Sequence, residues 1–439
     1  PRRNHMILPA RSFTERCSAA ALAPEAVSGS KARVNASPPA ARPASHLPLG
    51  LLLTMGALIA FAPMSIDMYL PALPRMTLEL RSTPAVAQLT VAAFLIGLAL
   101  GQLIYGPLSD RIGRRKPVLA GIALFLVATV GCALAPTMEA LVGWRFVQAL
   151  GGCAGVVVSR AIVRDRCDHQ ESARIFSILM LIMGVAPILA PLIGGYIQQA
   201  AGWRAIFWVL FGFAALTAVA VWFQAPESRS EETSRRARSE TPLAAYLALL
   251  SNRGVMGYVL VGGLASSAMF TYIAASPELL IGTYGVRDVD FGWIFGMNAA
   301  GIIGASQMNR LLLRRRRADG VLQAALVIGV LAGMALVAAA FTGIGGLPAL
   351  LAPLFFAVAV HGLGSPNAVA GAMAMDPHRA GSLSALVGCV QFGLGAGAAA
   401  LAGLFHDGSA RPMAVVILVC LAAALATFLT MAKPAQTAD

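Results

Sequence analysis

The stretch "APMSIDMYLPALP", residues 62–74, closes a long apolar run and yet carries a carboxylate, Asp67, among three prolines. An ionisable group at the end of a segment of lipid-crossing length has two readings. In one, it rests at the headgroup level, near water, and caps the turn before Pro71. In the other, it faces a central cavity, partly desolvated. There it takes a proton from one side and releases it to the other when its surroundings change. Arg145, in "WRFVQALGGCAGVVVSRAIVRD" (144–165), poses the same question. A charge inside a span costs roughly 2.5–3.5 kcal/mol on insertion scales. It therefore faces a partner or a water-filled cavity, or it snorkels to the interface. Gln148 lies one turn on and shares its face, and Gly151, Gly152 and Gly155 form a seam of small residues. Glu278, after Ser276-Pro277, is either an interfacial carboxylate or a second proton or cation site. Asn298 and Gln391 are polar side chains in lipid-length segments, where interhelical hydrogen bonding and cavity lining weigh equally. Tyr69, Phe94, Phe270, Tyr272 and Phe392 offer aromatic surface, for packing or for a lipophilic ligand. The sequence contains no GxxxxGK[ST] loop, no GxSxG, no His/Cys cluster and no catalytic carboxylate pair. It therefore implies no enzyme, no cofactor and no metal, and any work must draw on an ion gradient.

The elements that position these residues follow from composition. The 439 residues are 58% hydrophobic and 12% charged, with a mean hydropathy of +0.73. Soluble chains carry about 25% charged residues, so the solvent for most of this chain is lipid. Its apolar runs are continuous and have the length of about 20 helical residues that crosses the hydrocarbon core. Continuous rather than alternating runs predict helices, one of the two structures that satisfy the backbone in lipid. Twelve spans are expected, at 48–70, 84–108, 117–136, 138–161, 173–199, 203–223, 254–276, 289–312, 321–342, 347–372, 381–405 and 411–431. The third and fourth, separated only by residues around "APTME", should form a tight hairpin.

Residues 1–47, rich in Pro, Ala, Ser and Arg, read as a disordered tail. Residues 224–253 are the longest polar stretch between spans and read as a linker. It divides the chain into an N-terminal half, 48–223, and a C-terminal half, 254–432, with 433–439 as a second tail. Transporters built from two six-helix halves hold substrate at the interface between them. If the N-terminus is cytoplasmic, 27 of the 33 Lys and Arg lie in cytoplasmic segments and five on the opposite side. That asymmetry follows the positive-inside rule with both termini cytoplasmic. The net charge of +13 is thus a topology signal, and its natural partner is anionic lipid headgroups rather than nucleic acid. The six cysteines are scattered, without a CxxC, and read as small membrane residues.

The sharpest motif is "GPLSDRIGRRKPVL", 106–119, between the second and third spans. Gly106 allows close helix approach, and Gly113 permits a tight turn. Asp110 can accept from N–H groups at a helix N-terminus, and Arg111, Arg114 and Arg115 can meet carboxylates or helix C-termini. This spacing resembles the major facilitator superfamily, where the loop latches a gate between the halves. A degenerate copy is expected at 304–317, "GASQMNRLLLRRRR", with Asn309 standing where an acid could be. The R-x-x-Q-x-x-G spacing from Arg145 resembles the family's fourth-span motif, in which the Arg is linked to proton transfer, although Ala149 replaces the usual Gly. In "MGVAPILAPLIGGYI", 183–197, Pro187 and Pro191 should kink the fifth span, and Gly184, Gly194 and Gly195 should allow close packing. The pattern resembles the antiporter motif that seals the path against leak. "SIDMYLPALP", "QALGGCAGVVVSRAIVRD", "SPELLIGTYGV" and "QFGLGAGAAALAGLFHDG" resemble the bicyclomycin/chloramphenicol resistance type (Bcr/CflA) of drug/proton antiporters, from about residue 48 to 430.

The resemblance implies an all-α, twelve-span fold and a monomeric antiporter of the bacterial inner membrane, exporting a small molecule in exchange for protons. Asp67 and Arg145 would couple protons. One proton moving through 100 mV and one pH unit supplies enough to hold a roughly hundred- to thousandfold gradient of neutral substrate. The alternative is an exporter of one metabolite, such as a sugar, amino acid or siderophore.

Overall fold

The computed structural model describes residues 48–167, 169–225, 227–228, 242–376 and 379–432. The tail at 1–47, most of 226–241 in the linker, and 433–439 lie outside the described residues. Every described element is helical. The helices are α1 (Leu49–Asp67), α2 (Leu73–Glu79), α3 (Pro84–Ile112), α4 (Arg115–Ala133), α5 (Met138–Arg166), α6 (His169–Ala201), α7 (Trp203–Gln224) and α8 (Pro242–Ser251). They continue with α9 (Arg253–Pro277), α10 (Asp288–Leu312), α11 (Ala318–Thr342), α12 (Gly346–Ala359), α13 (His361–Met375), α14 (Ala380–Leu404) and α15 (Arg411–Met431). Among the described residues, eleven helical stretches are long and apolar enough to cross a membrane. The twelfth span of the fold is α10, which is less apolar because Asn298, Ser306 and Gln307 interrupt it.

Lipid offers helices no hydrophobic drive to associate, so small residues must let them approach. Gly97 and Gly101 of α3 lie against Phe146, Ala149 and Cys153 of α5, while Gly151 of α5 lies against the backbone of Phe125 in α4. The α4–α5 hairpin turns through 134–137, with Thr137 capping α5 by accepting from the Ala140 N–H at 3.2 Å. The tenth span is broken at Val360 into α12 and α13. Pro366 withholds a hydrogen bond from this part of the span, and Gly362 meets the Ile302 carbonyl of α10 so closely that a side chain would not fit.

The two halves meet along α3 with α14 and along α6 with α10. The apolar core differs between the two ends. Toward the α1–α2 turn, a continuous cluster joins both halves, from Met68, Leu73 and Phe94 to Phe291, Leu354 and Ala399. Toward the arginine-rich end the core divides. One cluster, with Met55, Phe125 and Ile162, belongs to the first half, and another, with Tyr258, Leu326 and Phe428, belongs to the second. A single core closes one end, and two separate cores leave a cleft at the other.

Candidate functional site

Asp67 is the last residue of α1 and is 3% exposed. The chain turns at once through a short 3-10 helix, Leu70–Ala72, into α2, whose Leu73 and Met76 are also buried. This cap, made by the proline-punctuated sequence after Asp67, removes the carboxylate from open headgroup water. One carboxylate oxygen, Oδ1, has no hydrogen-bond partner among the described residues.

Arg145, on α5, is fully buried at 0% exposure. It donates from Nη1 to Gln148 Oε1 at 2.6 Å and from Nη2 to the Ser65 carbonyl at 2.8 Å. Its guanidinium lies 4.3 Å from the ring centre of Tyr69 and 4.2 Å from that of Phe94. Planar, weakly hydrated guanidinium suits such a slot better than an ammonium. Gln148 donates to Thr129 at 2.8 Å, and Tyr69 and Thr90 share a hydrogen bond of 2.8 Å. Arg145 makes no ion pair among the described residues, but Asp67 lies within its electrostatic reach. Asp67 also lies within electrostatic reach of Tyr272 on α9, in the other half. Asn298 of α10 donates to the Tyr272 hydroxyl at 3.1 Å, its own Oδ1 unpaired among the described residues, and Ser276 approaches the same hydroxyl. The structure thus brings Asp67, Arg145, Gln148, Tyr69, Phe94, Tyr272 and Asn298 into one buried region spanning both halves. Ser65, Thr90, Thr129 and Ser276 belong to it as well. They escaped the sequence reading because hydroxyls in apolar helices usually bond their own backbone and give no spacing signal. Phe270 and Phe392 pair with ring centres 5.6 Å apart, and Gln391 donates to Ser365 at 3.3 Å.

The span-five glycines sit beside this region. Gly194 of α6 packs on the Met68 carbonyl, one residue from Asp67, and Gly195 packs on the Asp288 carbonyl of α10. Gly184 faces Ile303 of α10. The helix runs unbroken through Pro187 and Pro191.

At the divided end, a cavity of about 430 Å³ lies between the halves. Gly106, Asp110 and Arg114 line it from the first half, and Ser382, Ser384 and Ala385 from the second. None of Tyr69, Phe94, Gln148, Phe270, Tyr272, Asn298, Gln391 and Phe392, the candidates for a substrate cavity, lines it. Tyr246 of α8 does; burial raises its phenol above the ordinary value, so the hydroxyl stays a neutral donor.

The 106–115 motif is organised by Arg114, which is 2% exposed. Arg114 donates to Asp110 and Ser109, at 2.5 and 2.8 Å, and to Asp165 at the end of α5 at 2.8 Å. Gly113 ends α3 at φ +101°, a conformation that favours glycine, and the Glu227 carboxylate occupies the space beside it. Glu227 accepts from the Arg114 and Arg115 N–H groups at the start of α4, at 2.8 and 3.3 Å. Arg115 also donates to the Trp222 carbonyl at 2.7 Å and lies over the Trp222 ring. Arg111 is exposed at the end of α3. Asp165 and Glu227 were missed because each is remote in sequence from the motif it serves. In the second half, Asn309 accepts from Asn367 of α13 at 2.8 Å, a neutral counterpart of the Arg114 cluster.

Arg114→Ala is expected to destabilise the folded protein by about 3 kcal/mol. That is the low end for breaking a buried pair, because Asp110 remains 39% exposed and solvated. Thermal unfolding in detergent measures it, and an unchanged midpoint would remove Arg114 as the organiser.

This is the architecture of a helical membrane transporter with a core closed at one end and a cleft at the other. Residues 55–400 match the Major Facilitator Superfamily, and the chain belongs to that family. It is 32% identical to a bicyclomycin resistance protein homolog of Haemophilus influenzae, over 84% of this chain and 93% of that one. It is 31% identical to a chloramphenicol resistance protein of Pseudomonas aeruginosa, over 75% of this chain and 78% of that one. Its fold is similar to the crystal structure of a D-xylose–proton symporter, with a TM-score of 0.68 and 15% identity, covering 87% of this chain and 97% of that one.

Proposed function

We propose that this chain exports drug-like small molecules across the bacterial inner membrane in exchange for protons, working as a monomer with both termini in the cytoplasm. The single observation that carries the coupling is Asp67, a buried carboxylate with an unpaired oxygen, between Arg145 of one half and Tyr272 of the other. An ionised carboxylate out of water is costly without nearby positive charge. Arg145 supplies that charge but makes no direct bond, so the carboxylate remains free to take a proton. Motion of one half against the other changes its distance to Tyr272 and Asn298, and with it the balance between the two states. Substrate would enter from the divided, basic end, and the α1–α2 cap with Gly194 and Gly195 of α6 would seal the other. Asp110, which here bonds within its own half, would latch the basic end when the cleft closes.

The resistance proteins named above support a drug-like cargo. The test is a wild-type measurement in energised, inside-out vesicles. Bicyclomycin or chloramphenicol added outside should release lumenal protons, and a protonophore should abolish the response. Substrate uptake that persists unchanged with protonophore would exclude proton exchange.

A further inference from the structure

Five charged residues line the cavity at the basic end, and their signs do not balance. Asp110 and Arg114 bond each other, and Arg114 also holds Asp165. Arg379 pairs with Asp376 at 3.0 Å. Arg160 and Arg164, one turn apart on α5, remain. Neither makes a hydrogen bond or ion pair with a described residue. Arg160 is the deeper of the two and half-buried, with the Cys153 thiol one and a half to two turns below it. Arg164 stands exposed at the mouth. A partly buried guanidinium without a counter-charge carries a desolvation cost that a bound anion would offset. Facing a cavity, the cost falls when the cavity holds an anion.

The other walls fit an anion equally well. Gln102 of α3, 7% exposed, makes no side-chain hydrogen bond with a described residue. Ser382 and Ser384 in the first turn of α14, and Tyr246 of α8, line it with hydroxyls that bond no described residue. That turn of α14 has no side-chain cap, so its N–H groups add positive potential on the same side. Among the described residues, Asp110 is the one acid lining the space, and Arg114 engages it.

We infer that this cavity is an anion-selective substrate vestibule, in which Arg160, with Arg164 at the mouth, receives a carboxylate or phosphate group of the transported molecule. The vestibule favours acidic or zwitterionic cargo and disfavours lipophilic cations. This rests on the export reading above only in treating the cleft as the substrate's entrance. A guanidinium engages a carboxylate by two parallel charge-assisted bonds, whereas a neutral drug gains neither. The unpaired donors of Gln102, Ser382, Ser384 and Tyr246 would take up further oxygens.

The test uses a matched pair of probes, chloramphenicol and its succinate monoester, which share a scaffold and differ by one carboxylate. Binding to the purified full chain in phosphatidylcholine nanodiscs is measured by equilibrium dialysis, without any proton gradient. The wild type should bind the ester about tenfold or more tightly than the parent drug, the gain expected of one charge-assisted pair. Arg160→Gln should bring the two affinities together, and Arg160→Lys should restore most of the preference. Equal affinities in the wild type overturn the inference before any variant is made, and so does a preference undiminished in a monodisperse Arg160→Gln. Repeating the wild-type measurement with phosphatidylglycerol in the nanodisc separates cargo from lipid. A preference erased by that lipid assigns the arginines to a headgroup and overturns the substrate role. The export reading fails separately: ester preference without drug-evoked proton release removes proton exchange and keeps the anion site.

Discussion

Asp67→Asn should reduce substrate-evoked proton release to the background of vesicles lacking the protein, while leaving the protein folded and able to bind its substrate. The amide has nearly the shape of the carboxyl but takes no proton in the accessible range, so an exchange cycle that passes through this side chain stops. The expectation for folding is equally definite. The buried Oδ1 has no hydrogen bond to lose, and replacing an unpaired buried ion by a neutral group lowers its desolvation cost. Unfolding temperature should therefore stay level or rise. Arg145 keeps its place in the variant, because Gln148, the Ser65 carbonyl and two aromatic rings hold it independently of Asp67. Substrate counterflow without a gradient, compared with proton release under one, separates binding from coupling. Wild-type proton release in Asp67→Asn would make Asp67 a structural carboxylate and move the coupling site elsewhere, with Glu278 the next residue to examine.

The fold was legible because lipid admits few solutions: twelve apolar runs of helical length leave little else to build. Helix ends were less legible. The second and fourth spans, expected to stop at 108 and 161, continue to Ile112 and Arg166. Their last turns are polar and give no hydropathy signal, yet Arg114 ties Ser109, Asp110 and Asp165 together across them. The break at Val360 falls inside the expected span 347–372, where His361, Ser365 and Asn367 are too few to interrupt its hydropathy. Pro366 was visible, but the approach of Gly362 to α10 is tertiary. Asp67 and Arg145 stood out singly, as charges in apolar segments. Their nearness did not, since 78 residues separate them and no local period links the two. Arg160 was passed over for a related reason. In sequence it is one of several arginines at a basic helix end, and only the bonded states of Asp110, Asp165 and Asp376 show that none of these three described acids pairs with it.

Gly194→Ala should convert the transporter into a proton leak. A Cβ at Gly194 would fall on the Met68 carbonyl oxygen, which belongs to backbone and cannot rotate away as a flexible side chain could. Either α6 withdraws from the end of α1, or the turn that follows Asp67 moves. Overpacking of this kind costs about 1–3 kcal/mol, and both ways of relieving it act on the closed end. If α6 withdraws, Gly195 leaves the Asp288 carbonyl and Gly292 of α10 leaves Leu192, loosening the contact between the halves. If the turn moves, the cap over Asp67 opens and the carboxylate meets water. In liposomes holding a pH-sensitive dye, a potassium diffusion potential should drive proton entry several times faster through the variant than through the wild type, with no substrate present. Gly212→Ala is the control. It lies on α7 with open space around the added methyl group, so it should leave the leak unchanged and add at most about 1 kcal/mol of stability. A tight Gly194→Ala variant, with a leak no greater than that of Gly212→Ala, would show that the closed end has slack. The seal would then have to be sought in the α2 cap, where Trp203 donates to Glu79 at 2.8 Å.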